Sequence, residues 1–150
     1  MKKIVIDMDN TLVDEMGKTL RPGIEEFLSY LVKLNYELIL WTNSSKSRAQ
    51  TILSNHNLNK YFKTYIYRED YDPKNTGNKK DIRMYKADFL IDDDPDEINN
   101  IKRLGLNGFL IKSYRQNTTI DKKEYAEILK ALNKNWFLNK IKSIIDRHVS

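Results

Sequence analysis

The chain opens with a short run of apolar, β-forming residues that ends abruptly in charge. Ile4, Val5 and Ile6 lead directly into Asp7, and a second carboxylate, Asp9, follows two residues later. Such a run predicts a strand buried on both faces, because a half-exposed strand would alternate with polar residues. Two carboxylates beyond its end can point into one cleft and divide nucleophilic, acid–base and metal-binding work. Alone, an Asp-x-Asp pair is a weak signal.

The rest of the chain alternates strands with helices. Further strands are predicted at residues 37–41, 65–67, 88–91 and 107–111. Apolar spacing and capping residues predict helices, over 22–35, 45–55, 79–85, 95–104 and from 121 onwards. The segments 13–21 and 69–78 are predicted to be loops.

This alternation predicts a three-layer α/β/α fold with a parallel, Rossmann-like sheet and right-handed crossovers. A chain of 150 residues fits one domain, residues 1–150. Its last helix, within 120–150, carries an apolar face that includes Tyr125, Trp136 and Ile141. That face is expected to cover the sheet.

Composition restricts the class of protein. Hydrophobic residues make up 40% of the chain and charged residues 31%, and no apolar run approaches the length of a membrane span. The absence of cysteine excludes disulfides and thiolate zinc sites, and fits a cytoplasmic protein. The formal charge of +5 favours acidic or phosphorylated partners, and nucleic acid is possible although no binding motif accompanies the charge.

Polar residues cluster where the predicted strands end. Thr42 and Asn43 close the second strand, the 69–78 loop follows the third, and Asp92 and Asp93 close the fourth. In parallel sheets function gathers at this carboxyl edge. These residues, together with Asp7 and Asp9, are therefore expected to share one site.

These motifs resemble those of the haloacid dehalogenase superfamily of phosphohydrolases. Asp7-Met8-Asp9-Asn10-Thr11 corresponds to its first motif, Thr42 to its second, a lysine before the fourth strand to its third and Asp92-Asp93 to its fourth. The run Arg21-Pro22-Gly23-Ile24-Glu25-Glu26-Phe27-Leu28 and Lys80-Asp81 are similar to the branch of small C-terminal-domain phosphatases, the NLI-interacting-factor-like branch. The resemblance covers about residues 3–112 and implies a strand order of 5-4-1-2-3.

The resemblance also implies a role for each residue. Asp7 would attack phosphorus and form an aspartyl-phosphate, and Asp9 would act as the acid and base. Thr42, the Asn43 backbone amide and the lysine would hold the phosphate. The implied cofactor is Mg²⁺, with ligands from the Asp7 side chain, the Asp9 carbonyl and Asp92, and with Asp93 close by.

The identity of the third-motif lysine stays open at this level. Lys74, Lys79 and Lys80 all precede the fourth strand, and the Lys-Asp-apolar pattern favours Lys80. The side chain of Asp94, next to Pro95, is best explained as a helix N-cap.

Neither connection in which relatives carry a cap domain is long enough for one, so a capless enzyme with an open site is expected. An open site suits a phosphoprotein or another bulky substrate. A nucleotidase or polynucleotide-end phosphatase is the alternative within the same chemistry. Two further hypotheses for the function are a non-catalytic phosphate-binding regulatory module and a response-regulator-like phosphoacceptor.

Overall fold

A parallel sheet forms the centre of the molecule, and the computed structural model describes it within residues 2–149. The strands of the described chain are β1 (Lys2–Ile6), β2 (Tyr36–Trp41), β3 (Phe62–Ile66), β4 (Phe89–Asp92) and β5 (Asn107–Leu110). Their spatial order is β3-β2-β1-β4-β5 with every pair parallel. This is the predicted order read from the opposite edge, so the predicted fold class is confirmed.

Alternating strand residues supply two separate cores. On one face Ile4, Ile6 and Leu40 join a large cluster, whereas on the other Val5 and Ile39 join a smaller one. Because successive side chains of a strand point to opposite faces, each apolar strand contributes to both cores. Burial on both faces explains the uninterrupted apolar runs.

Helices cover both faces of the sheet. They are α1 (Ile24–Lys33), α2 (Lys46–Asn55), the single turn α3 (Arg68–Tyr71), α4 (Pro95–Arg103) and α5 (Lys122–Val149). In the described chain the connections after β1 and after α2 contain short loops and these elements, with no second domain. The cleft at the carboxyl edge is therefore uncovered by a cap.

The predicted helix over 79–85 is wrong in its first half. Only Ile82–Tyr85 forms a 3-10 turn, and residues 79–81 have no regular secondary structure, with Asp81 in an extended conformation. The backbone N–H of Lys80 donates to Glu97 Oε2 at 2.9 Å instead of joining a helix. The third strand also begins earlier than predicted, at Phe62.

The apolar face of α5 covers the sheet over only its first turns. Ile128 and Leu132 are buried, but Trp136 is 41% exposed and Ile141 is 37% exposed, so the expectation that both pack on the core is corrected. A helix of 28 residues is about 42 Å long. Strands of five residues span only about 17 Å, so the helix extends beyond the edge of the sheet.

Among residues 2–149 no helix is both long enough and apolar enough to span a bilayer.

We expect Ile128→Ala to reduce the free energy of unfolding by about 2–5 kcal/mol, because it leaves a cavity in a closed core. Phe137, which is 58% exposed on the same helix, is the matched control. Its replacement by alanine should change the free energy by less than about 0.5 kcal/mol. Urea unfolding of both variants measures this, and equal losses would contradict the boundary between packed and exposed halves of α5.

Candidate active site

The carboxyl ends of β1, β2 and β4 meet at an open cleft of about 580 Å³. Every residue predicted for the site lines it: Asp7, Asp9, Thr42, Asn43, Lys80, Asp92 and Asp93. Lys79 also reaches the cleft but is 40% exposed and lies 4.0 Å from Glu97. Lys74 is exposed and lies outside the lining. Of the three candidate lysines, geometry singles out Lys80.

Lys80 is buried between two carboxylates. Its Nζ donates to Asp7 Oδ1 at 2.9 Å and to Asp92 Oδ2 at 2.7 Å, and the residue is only 3% exposed. Burial acts to lower the pKa of Lys80, but the charges of Asp7 and Asp92 raise it well above its ordinary value. The lysine therefore stays protonated and holds both carboxylates in place.

The two carboxylates titrate abnormally because they are buried close together. Burial raises the pKa of Asp7 to about 6, and Lys80 limits the rise. Burial, followed by the charge of Asp7, raises the pKa of Asp92 to about 6. Asp7 also accepts a hydrogen bond from Thr11 Oγ1 at 3.1 Å. One oxygen of each carboxylate is thus held by Lys80, and the second oxygens face other polar groups.

Asp93 completes an acidic cluster with the chemistry of a cation site. Carboxylate oxygens of Asp7, Asp92 and Asp93 lie within 4.8 Å of one another. Among the described residues Asn10 Oδ1 is a buried acceptor without a hydrogen-bond partner, and Asn10 lines the same cleft. An all-oxygen donor set suits a hard divalent cation such as Mg²⁺, so the residues present fit the predicted metal.

Thr42 and Asn43 occupy the end of β2. The Thr42 side chain is buried, and its hydroxyl oxygen accepts a hydrogen bond from the backbone N–H of Ser44 at 3.0 Å. Asn43 is exposed at the cleft. The end of β2 thus brings the Thr42 hydroxyl and Asn43 to the cleft that Asp7 also lines.

Asp9, by contrast, is paired with an arginine that sequence reasoning missed. Both of its carboxylate oxygens accept hydrogen bonds from Arg48 of α2, each at 2.9 Å. Arg48 lies in a mostly polar helix and belongs to no motif, so the sequence alone indicated only a solvated surface residue. The two carboxylates of the first motif are held by different cations.

Arg21 is a second arginine to which the sequence assigned no role, and it binds the backbone of the first-motif loop. The buried guanidinium of Arg21 donates to the backbone carbonyls of Thr11 at 2.6 Å, Asn10 at 2.9 Å and Lys112, and it pairs with Glu124 at 3.3 Å. It thereby joins the loop after β1 to the segment after β5 and to α5. The only sequence signal was its place in the run used for the family resemblance.

The buried carboxylate of Asp14 holds the 13–21 loop together through hydrogen bonds from its backbone. Asp14 is 2% exposed and accepts hydrogen bonds from the backbone N–H groups of Met16, Lys18 and Thr19 at 2.8–3.0 Å. The Thr19 hydroxyl donates at 2.5 Å and Gln116 Nε2 at 3.2 Å. Burial acts to raise the pKa of Asp14, but these donors outweigh it and hold the pKa well below its usual range.

Comparison with known proteins identifies a family. The family model described as NLI interacting factor-like phosphatase matches residues 2–142. No curated protein matches the chain.

Solved structures share the fold at low sequence identity. A hydrolase from Streptococcus pneumoniae TIGR4 is 13% identical with a TM-score of 0.60, over 74% of this chain and 92% of that one. A haloacid dehalogenase-superfamily hydrolase from Ehrlichia chaffeensis is 15% identical with a TM-score of 0.58, over 88% and 99%. A chain of the Pnkp1/Rnl/Hen1 RNA repair complex is 16% identical with a TM-score of 0.56, over 75% of this chain and 42% of that chain.

We expect Asp14→Asn to lower the free energy of unfolding by about 3 kcal/mol at pH 7, because hydrogen bonds to a charged acceptor are strong and the amide brings its own donors. A carboxyl whose folded pKa is depressed contributes stability above its unfolded pKa of about 3.9 and loses it as pH falls towards the folded value. The difference between wild type and variant should therefore shrink below about pH 4. Urea unfolding between pH 3 and 7 measures it, and a difference independent of pH would contradict the ionic role.

Proposed function

Because the chain belongs to the NLI interacting factor-like phosphatase family, we propose that it hydrolyses phosphate monoesters through an aspartyl-phosphate on Asp7. The observation that carries this proposal is the placement of Asp7 against Lys80 at 2.9 Å, in a cleft shared with Thr42, Asp92 and Asp93. This arrangement supports in-line attack by a carboxylate whose surroundings compensate the charge of an incoming phosphate.

In the first step a carboxylate oxygen of Asp7 forms a bond to phosphorus. The bond from phosphorus to the ester oxygen breaks, and the leaving oxygen takes its proton from Asp9. In the second step a water oxygen attacks phosphorus, the bond to Asp7 breaks with its electron pair returning to the carboxylate, and Asp9 accepts the water proton. Dividing the displacement lets one site expel the leaving group and then admit water.

Lys80, Thr42 and the Asn43 backbone amide are assigned to the phosphate oxygens. Asp7, Asp92 and Asp93 cluster with the ammonium group of Lys80 as their buried counter-charge, which leaves an excess of two negative charges when all are ionised. A divalent cation would offset this excess. The Asp7 side chain, the Asp9 carbonyl, Asp92 and Asp93 would hold Mg²⁺. Mg²⁺ would supply Lewis-acid stabilisation of the charge on the phosphoryl oxygens.

The uncovered cleft favours phosphate carried on a large molecule, and a phosphoprotein is the leading substrate class. A polynucleotide end is the second candidate. The net charge of +5 favours it, and so does the shared fold with a chain of an RNA repair complex. The alternative to an enzyme is a regulatory module that binds phosphate without hydrolysing phosphate esters.

Asp7→Asn should abolish hydrolysis of p-nitrophenyl phosphate, by at least about 10³-fold, because the amide is a poor nucleophile. Chelation of divalent cations should abolish it as well, and added Mg²⁺ should restore it. Initial rates with the purified protein measure both effects.

The matched control for that experiment is Asp94→Asn. Asp94 belongs to the same acidic run, but its side chain caps α4 by accepting from the Asp96 N–H at 2.9 Å, and asparagine caps helices equally well. Near-normal activity is expected of it. Full activity in Asp7→Asn would exclude the nucleophile, and phosphate binding without turnover in the unaltered protein would favour the regulatory module.

Comparing kcat/KM on two substrates of similar size should distinguish a phosphoprotein phosphatase from a polynucleotide-end phosphatase. We expect kcat/KM to be at least about tenfold higher on a phosphoserine peptide than on a 3′-phosphorylated oligonucleotide of similar size, if the open cleft serves proteins. Phosphate release at low and high salt measures it. A preference for the oligonucleotide that falls steeply with salt would favour the second candidate.

A further inference from the structure

The carboxylate of Asp9 is held by a two-pronged ion pair. Arg48 Nη1 donates to Asp9 Oδ2 and Nη2 to Asp9 Oδ1, each at 2.9 Å. Side-chain exposure is 29% for Asp9 and 39% for Arg48, so the pair is partly shielded from bulk solvent beside the cleft that Asp9 lines. Parallel bonds of this kind fix the plane of a carboxylate as well as its distance.

Arg48 is itself held in place by other segments. Its Nη1 also donates to Ser44 Oγ at 3.0 Å, and its Nη2 donates to the Glu15 carbonyl at 2.9 Å. The backbone N–H of Arg48 contacts the helix-capping hydroxyl of Ser45 at 3.4 Å. The guanidinium thus joins the first-motif loop, the 13–21 loop and the start of α2.

These contacts leave Asp9 with a fixed orientation that it could not keep alone. A partly exposed aspartate in a loop has several accessible rotamers, whereas a carboxylate gripped at both oxygens by an anchored guanidinium has one. Each carboxylate oxygen retains a further lone-pair site, and Asp9 lines the cleft. That site can accept a proton from a water molecule positioned there.

We propose that Arg48 is a positioning residue that orients Asp9 for hydrolysis of the aspartyl-phosphate. The inference rests on the proposed function and concerns its second step. There the water oxygen bonds to phosphorus, the bond from phosphorus to Asp7 breaks, and the water proton passes to Asp9. Water has no covalent tether, so its attack depends on the orientation of the base.

A substrate with a good leaving group isolates this step. Nitrophenolate leaves without protonation, so formation of the phosphoenzyme from p-nitrophenyl phosphate needs little from Asp9. Hydrolysis of the phosphoenzyme still needs Asp9 as the base. Loss of Arg48 should therefore affect kcat while sparing kcat/KM, which reports only the steps through phosphoenzyme formation.

In Arg48→Ala, kcat on p-nitrophenyl phosphate should fall about 10²-fold, the contribution typical of a general base. KM should fall in parallel, so that kcat/KM changes by less than about threefold. Phosphorylated protein should accumulate during turnover, as measured by mass spectrometry after acid quenching. Arg48→Lys keeps the positive charge but loses the bidentate contact to both oxygens of Asp9, so its kcat should fall about tenfold.

Two further variants make the result specific. Asp9→Asn should behave like Arg48→Ala, and combining the two should add little, because both act on one step. Arg83→Ala is the matched control. Arg83 grips Asp81 with two bonds of 2.8 Å outside the cleft lining, and its replacement should leave kcat and KM unchanged.

The outcomes distinguish this role from others. A rise in KM with a fall in kcat/KM would mean that Arg48 binds the substrate phosphate, which would overturn the inference. Phosphoenzyme accumulation in Asp9→Asn but not in Arg48→Ala would overturn it while leaving the proposed function intact. Absence of turnover and phosphoenzyme in the unaltered protein would overturn both.

Discussion

The ammonium group of Lys80 is the interaction on which the carboxyl edge of the sheet depends. Its Nζ lies 2.9 Å from Asp7, which directly follows β1, and 2.7 Å from Asp92, which ends β4. These two strands are hydrogen-bonded neighbours. Two ionised carboxylates at such a place repel each other, and removing each from water costs several kcal/mol unless a counter-charge compensates it. The apolar strands could not bring both carboxylates into one cleft without a cation buried beside them.

The path of the chain to Lys80 follows from that requirement. Asp72 accepts hydrogen bonds from the Thr76 and Gly77 N–H groups at 2.9 and 3.1 Å, which closes the loop leading to the lysine. Glu97 of α4 then takes the Lys80 N–H in the place of a helical carbonyl. The sequence over 79–85 favours a helix, but the Lys80 N–H and ammonium group are both committed to tertiary partners, and these contacts prevail over local propensity.

Much of the fold and the placement of the predicted site residues could be predicted from sequence, because both depend on local patterns. Apolar runs predict buried strands, and parallel strands end at a common edge, so Asp7, Thr42 and Asp92 could be placed together. The pairing of Arg48 with Asp9 could not. It joins residues 39 positions apart through loops whose packing leaves no periodic signal. The exposed half of α5 was missed for a related reason, since periodicity identifies an apolar face but not the point where the sheet beneath it ends.

The two carboxylates of the first motif have different surroundings because the backbone pairing with β4 extends to Asp7 but not to Asp9. The Asp7 N–H still donates to the Ile91 carbonyl in strand-like pairing, which directs Asp7 into the buried interval beside β4. Beyond it the backbone turns, with Asn10 at a positive φ of 62°, and Asp9 faces the half-exposed wall where α2 begins. Asp7 is therefore buried among like charges, whereas the Asp9 side chain is 29% exposed. The different surroundings of two aspartates two residues apart therefore follow from the point at which this segment stops pairing with β4.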